Sequence, residues 1–232
     1  MEVGEVRATR RERQPEDPSI NLLAPLWTFR LICVGTTGGG KTNMIASLIE
    51  NHIPWQALQV VGRHLDGAWD ILRQRIERHE RKTGVQISHW CDSFAGMTPL
   101  DELNPANRNL VVFDDWVLAG PKEQSIMAEF FVRGRHKNCS VVYIAQSWHS
   151  IPRLIRLNAS VATIFKGYNH FDEIALWKDL GSSFKSREAF FEYLREATKP
   201  RYSFAVIDSN PREEELRYRI KWDEAYIPED GE

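Results

Sequence analysis

The chain has few cysteines, almost no net charge and no long apolar run. Only Cys33, Cys91 and Cys139 occur in 232 residues, an odd count with no CxxC pair. That argues against a disulfide framework and for buried, inert thiols in a reducing compartment. The formal net charge is -2, which excludes a polybasic nucleic-acid binder and makes any contact with a polyanion a local one. No apolar run approaches the roughly 18 residues of a membrane span. The opening "MEVGEVRATRRERQPEDPS" lacks the apolar centre of a secretory signal. The histidines, His136 among them, show no metal-ligand spacing and read as structural. The expectation is a soluble intracellular protein without membrane insertion.

Apolar residues make up 42% of the chain, with eight tryptophans and eleven phenylalanines, enough to bury the core of one large domain or two small ones. Residues 1–20 are polar and carry two prolines, and read as a disordered arm. The closing "DEAYIPEDGE", residues 223–232, holds five acids and no base, and reads as a loose acidic tail. Between them, residues 21–222 form one continuous pattern without a long linker or an internal repeat.

Short apolar runs alternate with amphipathic ones. "WTFRLICVG", "LQVVGR", "NLVVFDDW", "SVVYIAQS" and "SVATIFKG" read as buried strands. "KTNMIASLIE" places Met44, Ile45, Leu48 and Ile49 on one helical face. "WDILRQRIERHERK" places Trp69, Leu72, Ile76 and His79 inward, with Arg73, Arg75, Arg78 and Arg81 facing away. "KEQSIMAEFFVRG" buries Ile126, Met127, Phe130 and Phe131, with Gly134 as its C-cap. Two further helices follow, around Phe171–Leu180 and Arg187–Ala197. "YSFAVID" and "ELRYRIKW" are strands on either side of Asn210-Pro211. In the last, Leu216, Tyr218, Ile220 and Trp222 alternate with Arg217, Arg219 and Lys221, which predicts a half-exposed strand with a basic outer row. Strands alternating with helices define an α/β fold with a mainly parallel sheet. The late strand pair adds an antiparallel C-terminal edge.

Gly35-Thr36-Thr37-Gly38-Gly39-Gly40-Lys41-Thr42 fits G-x-x-x-x-G-K-[ST] at every required position, between an apolar strand and a helix. The glycines let backbone N–H groups converge on a phosphate, and the helix start favours an anion. Lys41 supplies charge against the β- and γ-phosphates, and the Thr42 hydroxyl suits Mg2+. "LVVFDDW" puts Asp114 and Asp115 at the C-terminal end of a buried strand, where α/β sheets bind ligands. Asp114 is the candidate Mg2+ acid and Asp115 the candidate general base. Gln146 ends the next apolar strand, where an amide can read the γ-phosphate or orient water. The order of these parts suggests a catalytic strand inserted between the phosphate-loop strand and the acidic strand, the arrangement of RecA-like ATPases. Arg135 is the leading candidate for an arginine donated to the γ-phosphate of a neighbouring subunit, with Arg133 and Arg156 behind it and Arg153 nearby.

Together, "VGTTGGGKT", "LVVFDDW", "FVRGRHKNCSVVYIAQS", "IPRLIRLN" and "ELRYRIKWDE" resemble the viral genome-packaging ATPases of the FtsK–HerA superfamily, over roughly residues 25–225. These are the poxvirus-type and double-jelly-roll virus enzymes. The resemblance implies a three-layer RecA-like core of the ASCE P-loop NTPase type. It also implies an ATP- and Mg2+-dependent motor pumping double-stranded DNA into a preformed capsid. Its partners would be DNA, capsid or vertex proteins, and further copies of itself in a hexameric or pentameric ring. It would work inside the infected host cell, with virion association left open. By position, Lys41 and Thr42 are then the phosphate and magnesium residues, Asp114 the magnesium acid, Asp115 the catalytic acid and Gln146 the sensor. Asp115 departs from the glutamate common in the wider superfamily; being one methylene shorter, it would act through a second water. The basic helix face and the outer row of Arg217, Arg219 and Lys221 are candidate DNA contacts. The alternatives are another FtsK–HerA-type translocase, a small-molecule kinase, or a nucleotide-gated assembly factor that does not pump DNA.

Overall fold

β-branched and aromatic runs too short for helices build the sheet, and the computed structural model of the protein describes residue 21 and residues 23–228. The arm expected over 1–20 lies outside the described residues. Nine strands form one sheet: β1 (Arg30–Val34), β2 (Ala57–Gly62), β3 (Ser88–Cys91), β4 (Asn109–Asp114), β5 (Cys139–Ala145), β6 (Val161–Phe165), β7 (Phe204–Asp208), β8 (Tyr218–Ile220) and β9 (Glu224–Ala225). Their order is β3-β2-β4-β5-β1-β6-β7-β8-β9. Every pair from β3 to β6 is parallel, and β6–β7, β7–β8 and β8–β9 are antiparallel. As the order of the motifs suggested, β5 lies between β1 and β4.

The sheet is covered on both faces, which is why its central strands are apolar throughout. Leu31 and Cys33 of β1 pack in one core, with α1 (Lys41–Asn51) and α2 (Ala68–Thr83) supplying Ile45, Leu48, Trp69 and Leu72. Ile32 and Val34 point into the other, with α3 (Pro121–Arg133), α4 (Arg153–Asn158), α5 (His170–Leu180) and α6 (Arg187–Ala197) supplying Phe130, Phe131, Ile155, Leu176, Phe190 and Leu194. The result is a three-layer α/β/α fold.

Several local expectations change. His79 is exposed, so the inward face of α2 is Trp69, Leu72 and Ile76. Gly134 caps α3 without leaving the right-handed helical region (φ -52); the chain tightens into a 3-10 turn and reverses at Asn138 (φ 49). The edge strand β3 and the short helix α4 had no strong sequence pattern. β3 is tied down by Glu80, whose Oε1 accepts from Ile87 N (2.8 Å), Ser88 N (2.7 Å) and Ser88 Oγ (2.9 Å). The sheet also runs on into the stretch read as an acidic tail. Beyond β9, Tyr226 N donates to Tyr218 O at 2.7 Å and the Tyr226 ring packs 4.6 Å from that of Tyr193.

The largest correction concerns the basic outer row. Arg219 is 1% exposed, and its Nη2 donates to Asp208 Oδ2 at 3.0 Å. The predicted alternation holds only within β8, where Tyr218 and Ile220 face the α3–α6 side, and it ends at the turn after Ile220: Trp222 joins the opposite core, its ring 5.9 Å from the Arg219 guanidinium. What fails is the assumption that the second face meets water: Asp208 and Trp222 close over it. Arg217 pairs with Glu214, and Lys221 turns the chain at φ 53. The Tyr193 hydroxyl, 2.7 Å from Val206 O and 2.9 Å from Arg219 O, bolts α6 to the same two strands.

Removing one partner of a buried ion pair strands the other charge. Asp208→Ala is therefore expected to lower unfolding free energy by roughly 3–5 kcal/mol, measured by urea denaturation. Asp208→Leu with Arg219→Met should recover most of that loss. Equal stability of wild type and Asp208→Ala would refute a structural role for the pair.

Candidate nucleotide site

The phosphate loop joins β1 to α1, and its conformation follows from what it lacks. α1 begins with no capping side chain and no acid in its first turn, whereas α5 and α6 begin with Asn169 and Ser186 accepting from the third helical N–H. The first N–H groups of α1 are thus left without a side-chain acceptor, at the positive end of the helix dipole. Gly40 takes φ 98, a conformation that favours glycine. Lys41 Nζ donates to Gly35 O (2.8 Å) and Thr36 O (2.9 Å), which folds the loop around the ammonium group. Burial holds the Lys41 ammonium below the usual lysine range, opposed by the charges of Asp114 and Asp115.

The loop is braced from β6, where sequence reasoning placed nothing functional. Thr36 Oγ1 donates to Lys166 O at 3.4 Å. Gly167 sits at φ 101, and a Cβ there would meet Thr36 Cγ2 at 2.5 Å. Only a glycine lets the β6 end lie this close to the phosphate loop.

Asp114 ends β4, two strands from β1, and Asp115 opens the turn that follows. Asp114 is buried, and Trp69 Nε1 of α2 donates to its Oδ2 at 2.6 Å. Burial raises the Asp114 carboxyl above the usual carboxylate range; the Trp69 hydrogen bond and Lys41 pull it back, and Asp115 pushes it further up. Asp115 is exposed and left-handed, φ 56, with its N–H donating to Ile144 O at 3.1 Å. Gln146 Nε2 lies 3.4 Å from both Asp115 carboxylate oxygens. Trp116 of the same DDW run is buried and donates from Nε1 to Val61 O at 2.9 Å, fixing the turn behind the acids. The sequence-predicted Lys41, Asp114, Asp115 and Gln146 thus converge at the C-terminal ends of β1, β4 and β5, while Thr42, next to Lys41 on α1, lines a cleft beside the loop.

Trp69 and Tyr143 were missed. Tyr143 is fully buried, its hydroxyl has no hydrogen-bond partner among the described residues, and burial and the Asp115 charge push its phenol well up. Both are aromatic core residues by pattern, and only the tertiary fold brings them to the acids. The Cys33 thiol beside Lys41 is pushed up to about 12 by burial, an inert group.

The arginines separate. Arg133 makes exposed ion pairs with Asp101 and Glu129, whereas Arg156 pairs with Asp179 in a largely buried contact that ties α4 to α5. Arg153 and Arg135 are exposed. Arg135 precedes β5 and lines a recess with Arg30 and Asp208. It lies at the opposite end of the parallel strands from Lys41, and so outside its own chain's phosphate site. No group of three or more potential metal-ligating His, Cys, Asp or Glu side chains occurs among the described residues. None of the helices described is long and apolar enough to cross a membrane.

Solved structures with this fold include the genome packaging NTPase B204 from Sulfolobus turreted icosahedral virus 2 in complex with AMP: TM-score 0.53, 12% identity, over 78% of this chain and 93% of that one. The same protein in complex with ATP-gammaS gives 0.52 at 13% identity, over 79% and 93%. B204, the DNA-packaging ATPase from Sulfolobus turreted icosahedral virus, gives 0.51 at 14% identity, over 79% and 93%. No protein-family model and no curated protein sequence matches the chain.

A carboxyl whose folded pKa is raised binds more protons folded than unfolded, so its contribution to stability falls as pH rises from its unfolded value through its folded one. Asp114→Asn keeps an oxygen for the Trp69 N–H and removes the buried charge. It is expected to unfold at higher urea than wild type at pH 7, and to lose less stability between acid and neutral pH. Earlier unfolding of the variant would mean that the carboxylate's contacts outweigh its desolvation.

Proposed function

We propose that this chain is an ATP-hydrolysing motor that moves double-stranded DNA into a preformed viral capsid, working inside the infected cell as a homomeric ring. The observation that carries the reading is the convergence of Lys41, Asp114, Asp115 and Gln146 at one end of three neighbouring parallel strands. The B204 fold supports it, since that protein is a genome packaging NTPase and binds ATP-gammaS.

Bound ATP with Mg2+ would supply a phosphoanhydride whose cleavage releases the energy. The residues suit both groups. Gly35, Thr36, Thr37, Gly38, Gly39 and Gly40 lead into the uncapped start of α1, and their backbone N–H groups would turn to a phosphate, Gly39 giving up its 3.1 Å bond to Thr36 O. Lys41, now donating to the carbonyls of Gly35 and Thr36, would turn its ammonium group to the phosphate oxygens. The Thr42 hydroxyl and the Asp114 carboxylate are hard oxygen donors of the kind Mg2+ takes, and Trp69 holds Asp114 in one orientation. Asp115 accepts a proton from the attacking water, and Gln146, bonded to it, orients that water. Arg135, remote from its own loop, would serve the site of an adjacent copy.

DNA contact would rest on few side chains repeated by symmetry. On α2, Arg73 and Arg81 pair with Glu77 and Arg75 with Glu50, while Arg78 has no ion pair among the described residues. That internal neutralisation favours a second reading, a nucleotide-gated capsid-assembly factor that does not pump DNA.

Steady-state ATP hydrolysis with and without double-stranded DNA, together with native mass, separates the two. The motor reading expects DNA stimulation, a ring-sized mass and a kcat lowered about a hundredfold or more in Asp115→Asn. ATP binding without turnover under any condition would leave the switch.

A further inference from the structure

Beside the phosphate loop lies a cleft of about 590 Å³ that the sequence did not suggest. One wall is the loop and α1: Gly40, Thr42, Asn43 and Ser47. The other is Tyr202, just before β7, with Lys221 and Asp223 from the turn between β8 and β9. Its volume lies within the roughly 300–1,000 Å³ of small-ligand pockets.

The far wall is built against local preference. Tyr202 and Lys221 are two of only four non-glycine residues at positive φ among the described residues, at 63° and 53°. Backbone strain of this kind collects at ligand sites. Tyr202 is 54% exposed, yet the Arg201 guanidinium lies over its ring at 4.7 Å. It also leans on the loop: a Cβ on Gly40 would meet Tyr202 Cδ1 at 3.3 Å. An aromatic face held half in solvent, touching a phosphate loop, is a stacking platform.

We infer that this cleft seats the nucleobase of the nucleotide whose phosphates the loop holds, with Tyr202 stacking on the base and Asp223 accepting from the exocyclic amino group of adenine. The inference rests on the nucleotide-binding reading above. A carboxylate accepts and does not donate, so Asp223 favours a base that carries an amine over its oxo counterpart. Asn43 and Ser47 line the same space and offer further polar groups to the base or ribose.

The test is equilibrium binding of ATP, ITP and inorganic tripolyphosphate to the full chain, by competition and by calorimetry. Tyr202→Ala is expected to weaken ATP about tenfold while leaving tripolyphosphate unchanged, and Tyr202→Phe to bind as wild type. Asp223→Asn is expected to weaken ATP about tenfold and ITP little, narrowing their ratio. Tyr202 and Asp223 are exposed, and unchanged thermal melting of each variant shows that its fold is intact. ATP affinity unaffected by Tyr202→Ala and Asp223→Asn would overturn the inference and leave the phosphate site standing. Failure of the wild-type chain to bind either ATP or tripolyphosphate would overturn both readings.

Discussion

Parallel pairing of β5 between β1 and β4 is the constraint on which the rest depends. Val34 stands opposite Ala145, and Asp114 opposite Ile144, in one continuous ladder. The three strands therefore end together. The loop after β1, the amide after β5 and the carboxylates after β4 come to one edge because strand register puts them there. Hydrogen bonds between backbones fix that register, and a slip by one would carry a strand's end about 3.3 Å away from its neighbours'. Precision at the site is thus inherited from the sheet core, most of whose strand residues are fully buried.

The acids show how burial divides labour. Asp114 and Asp115 are adjacent in sequence and opposite in setting, one buried under an indole N–H and the other exposed at φ 56. A buried carboxylate with a single fixed hydrogen bond keeps its remaining lone pairs in a set direction, which suits a cation. An exposed one, with the long 3.4 Å contacts of Gln146, stays open to water. The left-handed turn at Asp115 produces the difference. It reverses the side chain out of the sheet at the point where regular alternation would direct it elsewhere.

What was legible in the sequence was local. The phosphate loop is eight contiguous residues, the acidic strand is one run, and the helix faces of α1 and α3 repeat within two turns. The strand insertion was legible too, through the order of motifs alone. What was hidden is long-range. Trp69 meets Asp114 across 45 positions, and Thr36 meets Lys166 across 130. Nothing in "WDILRQ" distinguishes a core tryptophan from one that positions a carboxylate. Arg219 misled for a related reason. Period-2 alternation tells which residues share a face, and it is silent on whether a distant segment covers that face. Gly134 and Asn138 show the same limit on a small scale: glycine permits a left-handed stop without requiring one, and the turn was passed on to Asn138.

The parallel ladder runs through β1 to β6 and the antiparallel edge begins at β6–β7, one strand beyond the strand that carries the phosphate loop. On one side of β1 stand Asp114, Asp115 and Gln146, the groups suited to a metal and a water. On the other side of β1, the turn after β6 sets Gly167 against Thr36, and the segments flanking the antiparallel strands β7 and β8 contribute Tyr202, Lys221 and Asp223 to the cleft. A nucleotide held by the loop would then touch both sides, reacting on one and being recognised on the other. The buried Arg219–Asp208 pair and the Tyr193 hydroxyl lock β7 and β8 to α6. Strands this short, with only three residues in β8, could not hold strained turns in place through backbone pairing alone. Buried charge in an edge region is costly, and here it falls where the recognition wall needs a rigid support.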